Sequence, residues 1–156
     1  MRYRGINYSR LLKNNQRCRK QYKVHRAQMS KYDIQNLVQI LKNIDLNSMR
    51  TSYHVIKKND DRLTIELFRD TFARNMDSME DKIIEYNEIP YFTKYGMIFD
   101  KRVLIRDDKD YDGYNLCLVL SINRNQIVTA YWTHKDDNHA NLDWSRYSNT
   151  YYISVC

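Results

Sequence analysis

In YHVIKKNDDR, His54, Lys58 and Arg62 recur at intervals of four residues. On a helix that spacing lines up an imidazole and two cations along one face. Such charges repel one another unless an anion sits between them; a phosphate can fill that place, and so can Asp61 or Glu66. A second basic group lies in RVLIR, where Arg102, Leu104 and Arg106 alternate to one side of an expected strand. Two arginines on one strand face suit bidentate phosphate contacts, and either also suits an ion pair with Glu85. In IVTAYW, Thr129 and Tyr131 share a face. Their hydroxyls can hold phosphate oxygens or simply form the solvent side of a strand, since both residues favour strands anyway.

The stretch VTAYWTHKDDNH, residues 128–139, carries two histidines and two aspartates within six residues. A hard cation needs converging carboxylates, and the side chains of adjacent Asp136 and Asp137 diverge unless the loop coils back. His134 and His139 stand five apart, an awkward spacing for joint ligation on a helix or strand. The stretch therefore reads as a polar loop at the mouth of a nucleic-acid cleft, with Asn138, His139 or Tyr147 reaching the site. No metal or other cofactor is expected.

Charge points the same way. Of 26 Lys and Arg, ten fall within residues 1–32, which hold no acid; the other 124 residues carry 16 basic against all 19 acidic side chains. The whole excess of +7 thus belongs to an N-terminal arm, residues 1–30, that includes Arg17, Arg19 and Lys20. Such arms gain affinity for nucleic acid by releasing condensed counterions, and Tyr3, Tyr8 and Tyr22 can stack on unpaired bases. A solvated tail that only aids solubility is the plainer alternative. Cys18, Cys117 and Cys156 form no CxxC pair, which suggests a reducing compartment. No stretch approaches the roughly 20 apolar residues of a membrane span, so no membrane partner is expected. The expected place is the cytoplasm of a bacterial host cell, and the wealth of Asn, Tyr, Lys and Ile suggests an A/T-rich phage or mobile element.

The elements that must position these groups follow from periodicity. Ser30 and Asp33 form a capping pair before Ile34, Leu37, Val38, Leu41 and Ile44, which predicts a helix over 31–45. A second helix is expected from Asn47 or Ser48 to about Asn59, with Met49, Tyr53 and Ile56 inward, and a third over about 64–75. From Lys82 onward the period changes: KIIEYNEI, RVLIR, LCLVLSI and IVTAYW read as strands, separated by turn signals at Pro90, Gly96, 107–113 and 123–125. YYISV near the C-terminus suggests an edge strand. The expected fold is α+β, N-terminal helices packed on a four- to five-stranded antiparallel sheet, with residues 31–156 forming one domain.

The order of these pieces resembles the metal-independent ribonuclease toxins of the barnase–EndoU–colicin–RelE group. A helix with His-x3-basic-x3-Arg, a helix, strands with Glu and Arg, then IVTAY, carry the likeness over about residues 50–147. It looks closest to toxin domains of contact-dependent inhibition systems and related prophage proteins. Lys58 departs from the more usual Arg, and the WTHKDDNHANLDWSRY tail is longer and more polar than usual. The resemblance implies attack of an RNA 2′-oxygen on the neighbouring phosphorus. His54 would be acid or base; Arg62, Arg102 and Arg106 phosphate clamps; Thr129 and Tyr131 orienting hydroxyls; and Glu85 a second acid–base group. The implied partner is RNA or other nucleic acid, with a host protein or cognate inhibitor as a further one. Two non-enzymatic alternatives use the same charge: a phage inhibitor of a host nucleic-acid machine such as a CRISPR effector, and a virion protein that neutralises packaged nucleic acid.

Overall fold

The computed structural model describes residues 22–137 and Tyr147. Helix α1, Lys31–Lys42, begins where the sequence placed it: the Ser30 hydroxyl accepts from the Asp33 N–H at 3.1 Å, and the Asp33 carboxylate accepts from the Ser30 N–H at 2.9 Å. This reciprocal pairing satisfies two donors that a helix start leaves open. Helix α3, Ile65–Asn75, is capped by a single bond, the Thr64 hydroxyl accepting from the Leu67 N–H at 3.2 Å, and buries Phe68 and Phe72. α1 ends three residues short of its expected limit, and α3 ends where the periodicity placed it.

The expected helix over 47–59 does not form. A 3-10 turn, Leu46–Ser48, leads into a two-residue strand β2, Arg50–Thr51, and only Tyr53–Ile56 is helical, as α2. The Arg50 N–H donates to the Asn125 carbonyl at 3.0 Å and the Ser52 N–H to the Ile127 carbonyl at 2.9 Å. Pairing with a neighbouring strand thus claims backbone that a helix would need, in a stretch whose Thr51, Tyr53, Val55 and Ile56 are indifferent helix formers. Asn59, with φ of 54°, ends any continuation.

Strands β1 (Tyr22–His25), β3 (Ile83–Thr93), β4 (Gly96–Arg106), β5 (Tyr114–Ser121) and β6 (Gln126–His134) join β2 in a six-stranded sheet. Its order is β1-β3-β4-β5-β6-β2. All neighbours run antiparallel except β2, which lies parallel to β6, so the sheet is mixed. Two strands escaped the sequence reading. β2 is too short to show a period, and β1 was hidden inside the basic arm, although YKVH alternates buried Tyr22 and Val24 with half-buried Lys23 and His25. Pro90 proved no boundary: it pairs with Phe99 inside β3, and the chain reverses instead at Thr93–Gly96, where Gly96 takes φ of 120°. YYISV lies outside the described residues.

One apolar cluster ties these parts together. It draws Leu37 and Leu41 from α1, Val55 from α2, Phe68 and Phe72 from α3, and Val103, Ile105, Leu116, Leu118, Leu120, Ile127 and Ala130 from the sheet. The sheet members sit in registered rows: Val24–Tyr86–Val103–Leu120–Ile127 is one, Ile105–Leu118–Ala130 another. Residues between those rows must point to the opposite face, because side chains alternate along each strand.

Candidate functional site

That opposite face holds most of the chemistry. One row across it runs His25–Glu85–Leu104–Val119–Thr129, and the next runs Arg106–Cys117–Tyr131. Lys23, paired with Asn87 and through it with Arg102, belongs to the same face. Glu85 is its centre. The Tyr147 hydroxyl donates a very short hydrogen bond to the Glu85 carboxylate, whose other oxygen lies 3.6 Å from the Lys23 ammonium. The His25 ring meets the Tyr147 ring edge-on with centroids 5.6 Å apart, and Lys23 lies 5.4 Å from the same ring. Carboxylate, ammonium, imidazole and phenol thus share one patch. Nδ1 of His25 accepts from the Ala27 N–H at 3.0 Å, so a neutral His25 carries its proton on Nε2.

Toward β6 the face is less acidic in character. Cys117 and Tyr131 are cross-strand neighbours. Burial pushes the Cys117 thiol up to about 11 and raises the Tyr131 phenol as well, so both stay protonated at neutral pH; Glu85 adds to both rises. Thr129 stands three strands from Glu85, about 14 Å at the usual ~4.8 Å strand spacing, with apolar Leu104 and Val119 between them. A single phosphate held at Glu85 is beyond its reach.

The arginines expected to clamp phosphate are engaged by the protein. Arg102 donates to Asp100 at 2.7 Å, and Asp100, buried, also accepts from Ser121 at 2.6 Å and faces Arg124 at 3.7 Å. Arg106 binds Asn115 through two nitrogens and donates to the carbonyls of His134, Lys135 and Asp137. It holds the turn that follows β6. Within that turn the Asp137 N–H donates to the His134 carbonyl, Thr133 donates to the Asp137 carboxylate, and Lys135 pairs with Asp110 at 3.1 Å. The first residues of the polar loop are therefore an ordered turn fastened by Arg106.

His54, Lys58 and Arg62 do not share a face, because α2 stops at Ile56. His54 is exposed and meets no polar partner among the described residues. The Lys58 ammonium donates to the Ala130 carbonyl. Arg62 grips Asp60 through Nε and Nη2 at 3.1 and 3.0 Å and lies 4.5 Å from the centre of the Trp132 ring. Trp132 alternates with Tyr131 along β6 and packs against the core cluster, so Arg62 stands on the reverse side of the sheet from Glu85. Arg17, Arg19, Lys20 and His139 lie outside the described residues.

The structure thus places Glu85, Arg102, Arg106, Thr129 and Tyr131 on one face, with Thr129 and Tyr131 three strands from Glu85, and separates them from His54 and Arg62. Lys23 and His25 were missed as site residues, although the alternation of YKVH was a readable signal for them. Among the described residues no helix is long and apolar enough to cross a membrane. No protein-family model, curated protein or solved structure matches the chain.

Proposed function

We propose that the chain binds RNA and cleaves it without a metal, at the Glu85 face, by attack of a 2′-oxygen on the adjacent phosphorus. The observation that carries this is the grouping of Glu85 with Lys23, His25 and Tyr147 on one sheet face. Glu85 takes the 2′-proton as the O2′–P bond forms. His25 acts from its imidazolium form, in which Nδ1 takes up a proton in place of the Ala27 hydrogen bond. It gives its Nε2 proton to the departing 5′-oxygen as the P–O5′ bond breaks and returns to a neutral ring, leaving a 2′,3′-cyclic phosphate and a 5′-hydroxyl. Lys23 offsets the charge that develops on the phosphoryl oxygens. Tyr131 and Thr129 meet the strand further along, with the helices backing the other face of the sheet. The basic residues that precede β1, Arg17, Arg19 and Lys20 among them, add sequence-independent affinity, and the reaction takes place in the cytoplasm of a bacterial host.

The test is incubation with labelled tRNA and mRNA in EDTA. Wild type should cut and leave 2′,3′-cyclic ends, while Glu85→Gln and His25→Ala should bind without cutting. One observation favours a second reading, a non-enzymatic binder acting on a host nucleic-acid machine: the guanidinium groups of Arg62, Arg102 and Arg106 are all spent on protein acceptors. Tight binding of RNA or of a host protein, with no RNA cut by wild type, would decide for it.

A further inference from the structure

We infer that Arg62, Trp132 and Tyr111 form a stacking site for an unpaired nucleobase, on the reverse side of β6 from Glu85. It rests on the proposal that RNA is the ligand, but not on cleavage. A cleft of about 520 Å³ opens here, lined by Arg62, Leu67, Tyr111, Asp112 and Trp132. That lies within the roughly 300–1,000 Å³ of small-ligand sites.

The cleft is built around a fixed pair of planes. Asp60 grips the Arg62 guanidinium by two bonds and also accepts from the Trp132 indole N–H at 3.0 Å, so one carboxylate pins cation and indole together. The Tyr111 ring meets Trp132 edge-on with centroids 5.2 Å apart and forms a wall. Arg62 remains 63% exposed on its side chain, so the guanidinium surface away from Trp132 faces solvent. Bases stack on guanidinium planes as they do on aromatic rings, and a plane already held by Asp60 loses little freedom on binding. Lys109, 4.9 Å from the Tyr111 ring, supplies a cation for the flanking phosphate. Tyr131 and Trp132 are consecutive on β6, so they point to opposite faces of the sheet.

The probe is a short 2′-O-methyl oligoadenylate, which cannot be cut, and its abasic counterpart. The protein carries Trp144→Phe, leaving Trp132 as its one tryptophan. The oligoadenylate should change Trp132 emission. Arg62→Ala and Arg62→Lys should each weaken its binding about 5- to 150-fold, the range expected for one stacked base at ~1–3 kcal/mol. The abasic strand should bind wild type and both variants alike. Arg62→Lys at wild-type affinity, or an abasic strand weakened as much as the oligoadenylate, would mean charge alone and overturn the site. Tight binding with Trp132 unmoved and both variants unaffected would remove the stacking site and leave RNA binding standing. No binding to wild type would defeat both.

Discussion

Glu85 and Asp107 are both carboxylates at the ends of strands rich in apolar residues, yet their surroundings differ in kind. Asp107 is fully buried, and fixed donors fill it: Asn75 and the Lys109 N–H on one oxygen, Arg74 on the other. Those bonds fasten α3 to the connection between β4 and β5. Asp100 repeats the pattern with Ser121 and Arg102. Glu85 keeps about 20% of its side chain exposed, and its partners are a lysine and a phenol on other segments. A carboxylate saturated by short-range donors holds structure. One that faces an imidazole, an ammonium and solvent has protons and charges to exchange.

The largest effect should come from breaking that distinction at Glu85. Glu85→Gln removes a base while keeping shape, and loss of a general base typically costs ~10²–10⁴-fold in rate. Cleavage of labelled RNA should fall by that factor with the unfolding midpoint nearly unchanged. Equal loss of stability would make Glu85 another Asp107. The converse substitution, Asp107→Ala, should destabilise by about 3 kcal/mol in denaturant melts. Removing one partner of a buried pair costs ~3–5 kcal/mol, and the lower end applies because Arg74 is 40% exposed and water can take over part of the lost bond. RNA affinity of the folded fraction should not move.

Arg106 tests whether the β6 end of the face follows Glu85 or Asp107. Its contacts with Asn115 and with three carbonyls of the following turn are structural, so Arg106→Ala should cost about 1–3 kcal/mol by leaving the Asn115 oxygen unpaired. Amide exchange at Asp137 should quicken. Arg106→Lys should rescue little, because an ammonium cannot reproduce the planar fork. A changed salt dependence of RNA binding would instead make it a phosphate contact.

How far the sequence could be read depended on the length over which a pattern repeats. α1, α3, β4, β5 and β6 each repeat their period several times, and Ser30 and Thr64 mark two starts by their own chemistry. The stretch 47–59 offered only Met49, Tyr53 and Ile56 as an inward face, too few to tell a helix from a turn, a short strand or a single helical turn; Met49 is buried, whereas Tyr53 and Ile56 are exposed. Nothing local shows that Asn125 and Ile127 carbonyls will capture it. That one tertiary choice undid the His54–Lys58–Arg62 face. Thr129 and Tyr131 were legible as one face because strand parity is strict, whereas the register that puts Glu85 on the same face is set only by strand pairing. What parity cannot give is the acceptor each arginine meets, which depends on Asp100, Asn115 and a turn brought in by folding.

The smallest effect concerns the exposed pair on the reverse side. The hydrogen bonds from Arg62 hold the Asp60 carboxyl at about 2, below the ~3.9 of an unfolded chain. A carboxylate with a depressed value stabilises the fold above the unfolded value, and that contribution is lost as pH falls through the folded one. Wild type should therefore exceed Asp60→Asn in stability by a constant amount from pH 7 to about 4, and the two should converge between about 4 and 2. The difference should stay under about 1 kcal/mol, since the pair is at the surface and screened. Protonation also frees Arg62 from its place over Trp132, so emission in the Trp144→Phe background should titrate with a midpoint near 2, with near-UV dichroism confirming that the fold persists. A midpoint near 4, or the same titration in Asp60→Asn, would show that Asp60 does not hold Arg62 over the ring. The stacking site would then lose its preformed plane, and the reverse side would be an ordinary solvated surface beside the Glu85 face.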